Sequence, residues 1–119
     1  MPRVTYFEVP ADNPDRAMKF YKEVFGWKFE KWEGPMEYWL VKTASGSERG
    51  IDGGLMKRSE NLPTIRNVID VSAVDEYSTK ITSNGGKLLM PKTEIPGIGF
   101  FSLFQDTEGN VFGMMQENR

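Results

Sequence analysis

Glu8 and Asp70 lie in two short strand-like stretches, FEV and IDV, and are the side chains best placed by type and setting to do chemistry. A carboxyl group in such a stretch could hold a hard cation such as magnesium. Alternatively, one of the two could carry a raised pKa and act as a general acid or base. The plainer role is bonding to neighbouring backbone or to Arg and Lys, since structural ion pairs also perturb carboxylates. Tyr6, next but one to Glu8, offers a hydroxyl that could anchor a ligand or simply sit at the rim of the core.

What is missing narrows the chemistry further. The sequence has no histidine and no cysteine. Histidine bases, serine–histidine pairs and thiolate nucleophiles are therefore excluded. Zinc, copper and nickel lose their usual nitrogen and sulfur ligands. With 119 residues, 39% hydrophobic and 27% charged, and a net charge of -2, the chain has the make-up of one globular domain. There is no basic stripe for nucleic acid and no apolar run of the roughly 20 residues a bilayer span needs. These features predict a cytoplasmic protein with neither nucleic-acid nor membrane partners.

The elements that must position these groups follow from pattern. Val4 to Val9 reads as a strand stopped by Pro10. Asp12 or Asn13 can cap a helix that has Pro14 in its first turn and ends at Gly26, with Ala17, Phe20, Tyr21 and Val24 spaced as its buried stripe. Strands follow at Trp27 to Trp32, Glu37 to Thr43 and, after the loop ASGSERG, Ile51 to Lys57. Beyond RSENLP the order repeats: strand Asn67 to Val71, helix Val74 to Thr82, then strands Lys87 to Met90, Gly99 to Phe104 and Asn110 to Gln116.

The residues repeat as well as the elements. Gly50, Gly54 and Met56 match Gly109, Gly113 and Met115 at an offset of 59, and Glu8-Val9 matches Asp70-Val71 at an offset of 62. The expected architecture is α+β: one domain, 1–119, of two βαβββ modules, 1–60 and 61–119, about a pseudo-twofold axis. Their curved mixed sheets would enclose a cleft. Alternation turns Phe7 and Val9 toward Phe20 and Val24, leaving Tyr6, Glu8, Met56, Asp70 and Met115 on the opposite face with the bare Gly54 and Gly113.

The stretches FEVPADNPDRAMKFYKEVFGWKF and GGKLLMPKTEIPGIGFFSLFQDTEGNVFGMMQ resemble the vicinal oxygen chelate superfamily, which contains glyoxalases, extradiol dioxygenases and bleomycin-binding proteins. The likeness covers nearly the whole chain and is greatest to metal-independent, glyoxalase-like members. In metal-dependent members each module supplies one ligand from its first strand and a carboxylate from its last. Carried across, those places fall at Tyr6, Gly54, Arg66 and Gly113, none of them a normal ligand, so the resemblance implies a fold kept without its metal. EIPGIG would form a flap or rim over the cleft.

The expected function is binding of a small organic molecule in an apolar, aromatic-lined cleft, without metal or other cofactor. Tyr6, Glu8, Met56, Asp70, Phe101 and Met115 would contact it. The alternatives are a lyase or isomerase using Glu8 or Asp70 as general acid or base, with or without a hard divalent cation, and a non-enzymatic interaction module. The resemblance also allows a homodimer, formed with or without exchange of modules.

Overall fold

The computed structural model describes residues 2–44 and 46–118. Ser45, inside the ASGSERG loop, and the two terminal residues lie outside the described residues. The chain makes eight strands and two helices in the order β1 (Arg3–Ala11), α1 (Pro14–Phe25), β2 (Lys28–Lys31), β3 (Trp39–Lys42), β4 (Gly53–Lys57), β5 (Arg66–Asp70), α2 (Val74–Ser83), β6 (Lys87–Ile95), β7 (Gly99–Gln105) and β8 (Val111–Glu117). This is the βαβββ order twice over. The first compact unit is Tyr6–Arg66; Asn67 onward, with the first residues of β1, forms the second.

In the first unit β1 runs parallel to β4, and β4–β3–β2 continue as an antiparallel meander. Pro10 does not stop β1, which runs on through Ala11 beside Lys57. A proline removes a single N–H donor, and the strand tolerates that loss. Helix α1 starts where the sequence indicates: Asn13 Oδ1 accepts from the Arg16 N–H at 3.0 Å, and Gly26 closes the helix at φ 73°. Asp12, the other candidate cap, is instead paired with Arg58 at 2.8 Å.

The buried stripe of α1 differs from the expected one. Ala17, Met18 and Tyr21 pack on the core of Ala11, Val41 and Leu55, together with Phe7, Trp27 and Phe29. Phe20 and Val24 are 57% and 54% exposed. Tyr21 stacks on Trp27 with ring centroids 4.9 Å apart, and this contact sets the roll of the helix. Phe20 is thereby turned outward, its ring at 82° to that of Tyr21 with centroids 5.3 Å apart.

In the second unit β5 runs parallel to β8, and β8–β7–β6 form the meander. Val71, Val74 and Met114 are its core, lined by Ile69, Ile81, Leu88 and Phe104, so the helix-facing residues are those the alternation indicates. β6 passes through Pro91 to Ile95 with a register shift between Met90 and Thr93. EIPGIG is consequently a tight β6–β7 hairpin, closed by Ile98 N–H to Ile95 C=O at 2.9 Å. Before β8, Asp106 ties the DTEGN turn by accepting from the backbone of Glu108 and Asn110 and the Asn110 amide. Those bonds, the Asn110 backbone N–H foremost, hold its carboxyl below the usual range.

A hydrogen-bonded candidate site on the first sheet

Alternation along β1 puts Tyr6 and Glu8 on the face of the first sheet opposite α1, and the parallel register sets Glu8 directly beside Gly54. A third residue reaches the same spot. Tyr38 precedes β3, where the Trp32 N–H bonds to its carbonyl at 2.8 Å and closes the β2–β3 turn. From there its ring extends over Gly54, and a Cβ on that glycine would coincide with the Tyr38 hydroxyl. The empty side-chain position on β4 is the space that the phenol needs.

The polar atoms form one chain. The Tyr38 hydroxyl donates to Glu8 Oε2 at 2.8 Å, and the Tyr6 and Tyr38 hydroxyls are 2.9 Å apart. Arg66 Nε donates to Glu8 Oε1 at 2.6 Å, and its Nη1 to the Asn61 carbonyl at 2.7 Å. Glu8 is only 6% exposed, yet each carboxylate oxygen has a donor. Desolvation, opposed by the Tyr38 bond and aided by the charges of Glu8 and Asp52, pushes Tyr6 up to about 12. Tyr38 is raised further, by burial first and then by the charge of Glu8. Both tyrosines are phenols at neutral pH.

The second unit repeats the geometry with different chemistry. Val68 lies beside Gly113 as Glu8 lies beside Gly54. Leu103 pairs with Gly113 as Leu40 pairs with Gly54, so Phe101, two residues before Leu103, is the counterpart of Tyr38. A Cβ on Gly113 would stand 2.7 Å from the Phe101 ring. Each bare glycine is covered by an aromatic ring from the neighbouring strand, polar in one unit and apolar in the other.

This register corrects the pairing of the two carboxylates. Glu8 corresponds to Val68, and Asp70, which lies beside Met115, corresponds to Pro10, which lies beside Met56. Glu8 and Asp70 are thus not symmetry mates. The repeat in β1 and β5 is two residues shorter than the Glu-Val and Asp-Val likeness indicates. Tyr6 and Arg66 are the true counterparts.

Of the residues expected to contact a ligand, the first unit brings Tyr6 and Glu8 together through Tyr38, with Met56 half-buried farther along the same face of β4. The second unit groups Asp70, Met115 and the buried Phe101 in adjacent register. Tyr38 was the residue that sequence reasoning missed. Its signal was its place two residues before Leu40, mirrored by Phe101 before Leu103.

Residues 3–114 match the model of the Glyoxalase/Bleomycin resistance protein/Dioxygenase superfamily. The chain belongs to this superfamily. A glyoxylase-like domain-containing protein of Didymella fabae is 35% identical over 92% of this chain and 89% of its own length. The glyoxylase-named protein CFP32 of Mycobacterium bovis is 27% identical over 96% of this chain, which spans only 45% of that relative. Among solved structures, a hypothetical protein of Bacillus halodurans superposes with a TM-score of 0.75 at 12% identity, covering 99% of this chain and 96% of that one. Streptomyces coelicolor methylmalonyl-CoA epimerase superposes with a TM-score of 0.71 at 14% identity, covering 98% of each chain.

The four positions that the resemblance assigns to metal ligands carry side chains that do not fit that role. They hold a phenol, a guanidinium already bonded to Glu8, and two glycines whose side-chain space is filled by Tyr38 and Phe101. Among the described residues, no three of Asp, Glu, His and Cys converge in a way that could hold an ion. No helix among them is long and apolar enough to cross a membrane.

Proposed function

We propose that this superfamily member binds a small organic molecule on the aromatic face of its first sheet, with the Tyr6 hydroxyl as polar anchor, Tyr38 and the buried Glu8 holding it in place, and Met56 as adaptable apolar lining. The observation that supports this reading is the Tyr38 ring laid over Gly54: where the resemblance would put a metal-binding carboxylate, a hydrogen-bonded phenol lies. Phe101, Met115 and Asp70 provide the second unit's version of the same surface.

An acid–base role for Glu8 finds no support in the geometry, because both of its oxygens are engaged and its charge is matched by Arg66. Asp70 is the carboxylate on which a lyase or isomerase reading would rest. The test is a thermal-shift titration against panels of aromatic and cationic small molecules, since a ligand that binds only the folded state raises its melting temperature. Stabilisation that is lost in Tyr38→Ala supports the reading. No stabilisation by any compound defeats it.

A further inference from the structure

We propose that the Tyr6, Tyr38 and Trp32 side chains receive the ammonium group of an organic amine, the Tyr6 hydroxyl oxygen accepting a hydrogen bond from it. This rests on the reading that the face opposite α1 holds a small organic ligand, and adds the ligand's chemical class.

Counting protons fixes the direction of the chain. As the partner of Arg66, the Glu8 carboxylate can only accept, so the single hydroxyl proton of Tyr38 points to Glu8 Oε2. Tyr38 can then only accept from Tyr6, 2.9 Å away. Tyr6 has therefore spent its one proton inward. Its oxygen keeps lone pairs to which no donor among the described residues is bonded. A carbonyl or carboxylate arriving there meets lone pair against lone pair, whereas an N–H finds a ready acceptor.

Charge and aromatic surface point the same way. Two anionic groups, Glu8 and Asp52, bear on the Tyr6 hydroxyl, each with a cation on its far side, Arg66 at 2.6 Å from Glu8 and Lys42 at 3.6 Å from Asp52, so the aromatic surface carries the larger share of the preference. The Trp32 ring stands at 75° to Tyr38 with centroids 6.0 Å apart, making an aromatic corner. Its indole lies over Gly34, where any Cβ would collide with it, so that wall is held in place. Ring faces attract an ammonium group, most strongly where water is thin.

Four probes of one shape separate the possibilities: benzylamine, benzyltrimethylammonium, benzyl alcohol and benzoate, titrated at neutral pH by tryptophan fluorescence and NMR shift changes. Benzylamine is expected to bind about tenfold more tightly than benzoate, as suits a hydrogen bond from a charged donor. Tyr6→Phe should lower benzylamine affinity about tenfold and leave benzyltrimethylammonium unchanged. Tyr38→Phe, which frees the Tyr6 proton to turn outward, should narrow the gap between benzylamine and benzoate. It also serves as the test variant if Tyr6→Phe does not fold. Benzoate binding as well as benzylamine, or either variant failing to change the order, overturns the inference while leaving small-molecule binding intact. Binding of none of the four overturns both.

Discussion

Arg66 Nε donates to Glu8 Oε1 at 2.6 Å, and both side chains are more than nine-tenths buried. Removing one partner leaves the other charge without its match in a dry place, which costs about 3–5 kcal/mol, whereas replacing both with apolar groups of similar volume is far less harmful. Arg66→Met is therefore expected to lower the free energy of urea unfolding by about 3 kcal/mol. The double variant Glu8→Leu with Arg66→Met should recover part of that loss, the remainder being the Tyr38 hydroxyl left without its Glu8 acceptor. Additive losses in the double variant would show that the pair is not coupled.

Gly54 and Tyr38 should be coupled as well, through space rather than charge. Alanine in a strand is ordinarily better than glycine by about 0.5–1 kcal/mol. At 54 its methyl would enter the space of the Tyr38 hydroxyl, and at 113 it would stand 2.7 Å from the Phe101 ring. Overpacking of this kind costs about 1–3 kcal/mol. Gly54→Ala should destabilise the wild type and be neutral or helpful in a Tyr38→Ala background, read from denaturant midpoints in a four-protein cycle. The same cycle with Gly113 and Phe101 should give the same sign.

Much of this arrangement is legible in the sequence. The glycine-methionine repeat located β4 and β8, and the bare positions on them, because a fixed offset survives when side chains change. The Glu-Val and Asp-Val likeness misled: two residues of chance similarity in β1 and β5 outweighed a register that only pairing with β4 and β8 reveals. The expected stripe of α1 holds for Ala17 and Tyr21 but not for Phe20 and Val24, whose side Met18 replaces, because helical spacing alone accommodates a stripe centred on either of the adjacent Phe20 and Tyr21. Trp27, which follows the helix, chose between them by stacking on Tyr21. Tyr38 is silent in the sequence because its importance depends on lying, just before β3, against a glycine of the neighbouring β4, a proximity that only the strand register reveals.

The outward turn of Phe20 gives a direct test of that packing. Phe20→Ser removes a ring that is 57% exposed and should change stability by less than about 1 kcal/mol. Tyr21→Ala removes the ring stacked on Trp27 and should cost about 2 kcal/mol or more. Thermal unfolding followed by tryptophan fluorescence distinguishes the two. Equal losses would restore the stripe that helical spacing alone indicates.

Chelation should be without effect. Tyr6, Gly54, Arg66 and Gly113 provide neither carboxylate nor imidazole, and two of these positions are covered by rings. Protein dialysed against EDTA is expected to melt at the same temperature as untreated protein, and added manganese or magnesium should not raise it. A reproducible rise with either ion would locate a cation site that the donor set does not suggest.

The two phenols give stability a steep alkaline edge. A tyrosine whose folded pKa lies above its unfolded value contributes stability that is fully present below the unfolded pKa and is lost as pH rises through the folded one. Tyr6 is raised from 10.0 to about 12 and Tyr38 is raised beyond that, both chiefly because burial disfavours the charged form. Urea midpoints should therefore be unaffected by these groups at neutral pH and fall from about pH 10 upward, with more protons released on unfolding than in Tyr6→Phe. Tyrosinate absorbance should rise in two stages, the later coinciding with loss of structure. A single early rise, with all four tyrosines ionising while the protein stays folded, would show that Tyr6 and Tyr38 are open to water and that their hydrogen-bonded chain does not persist.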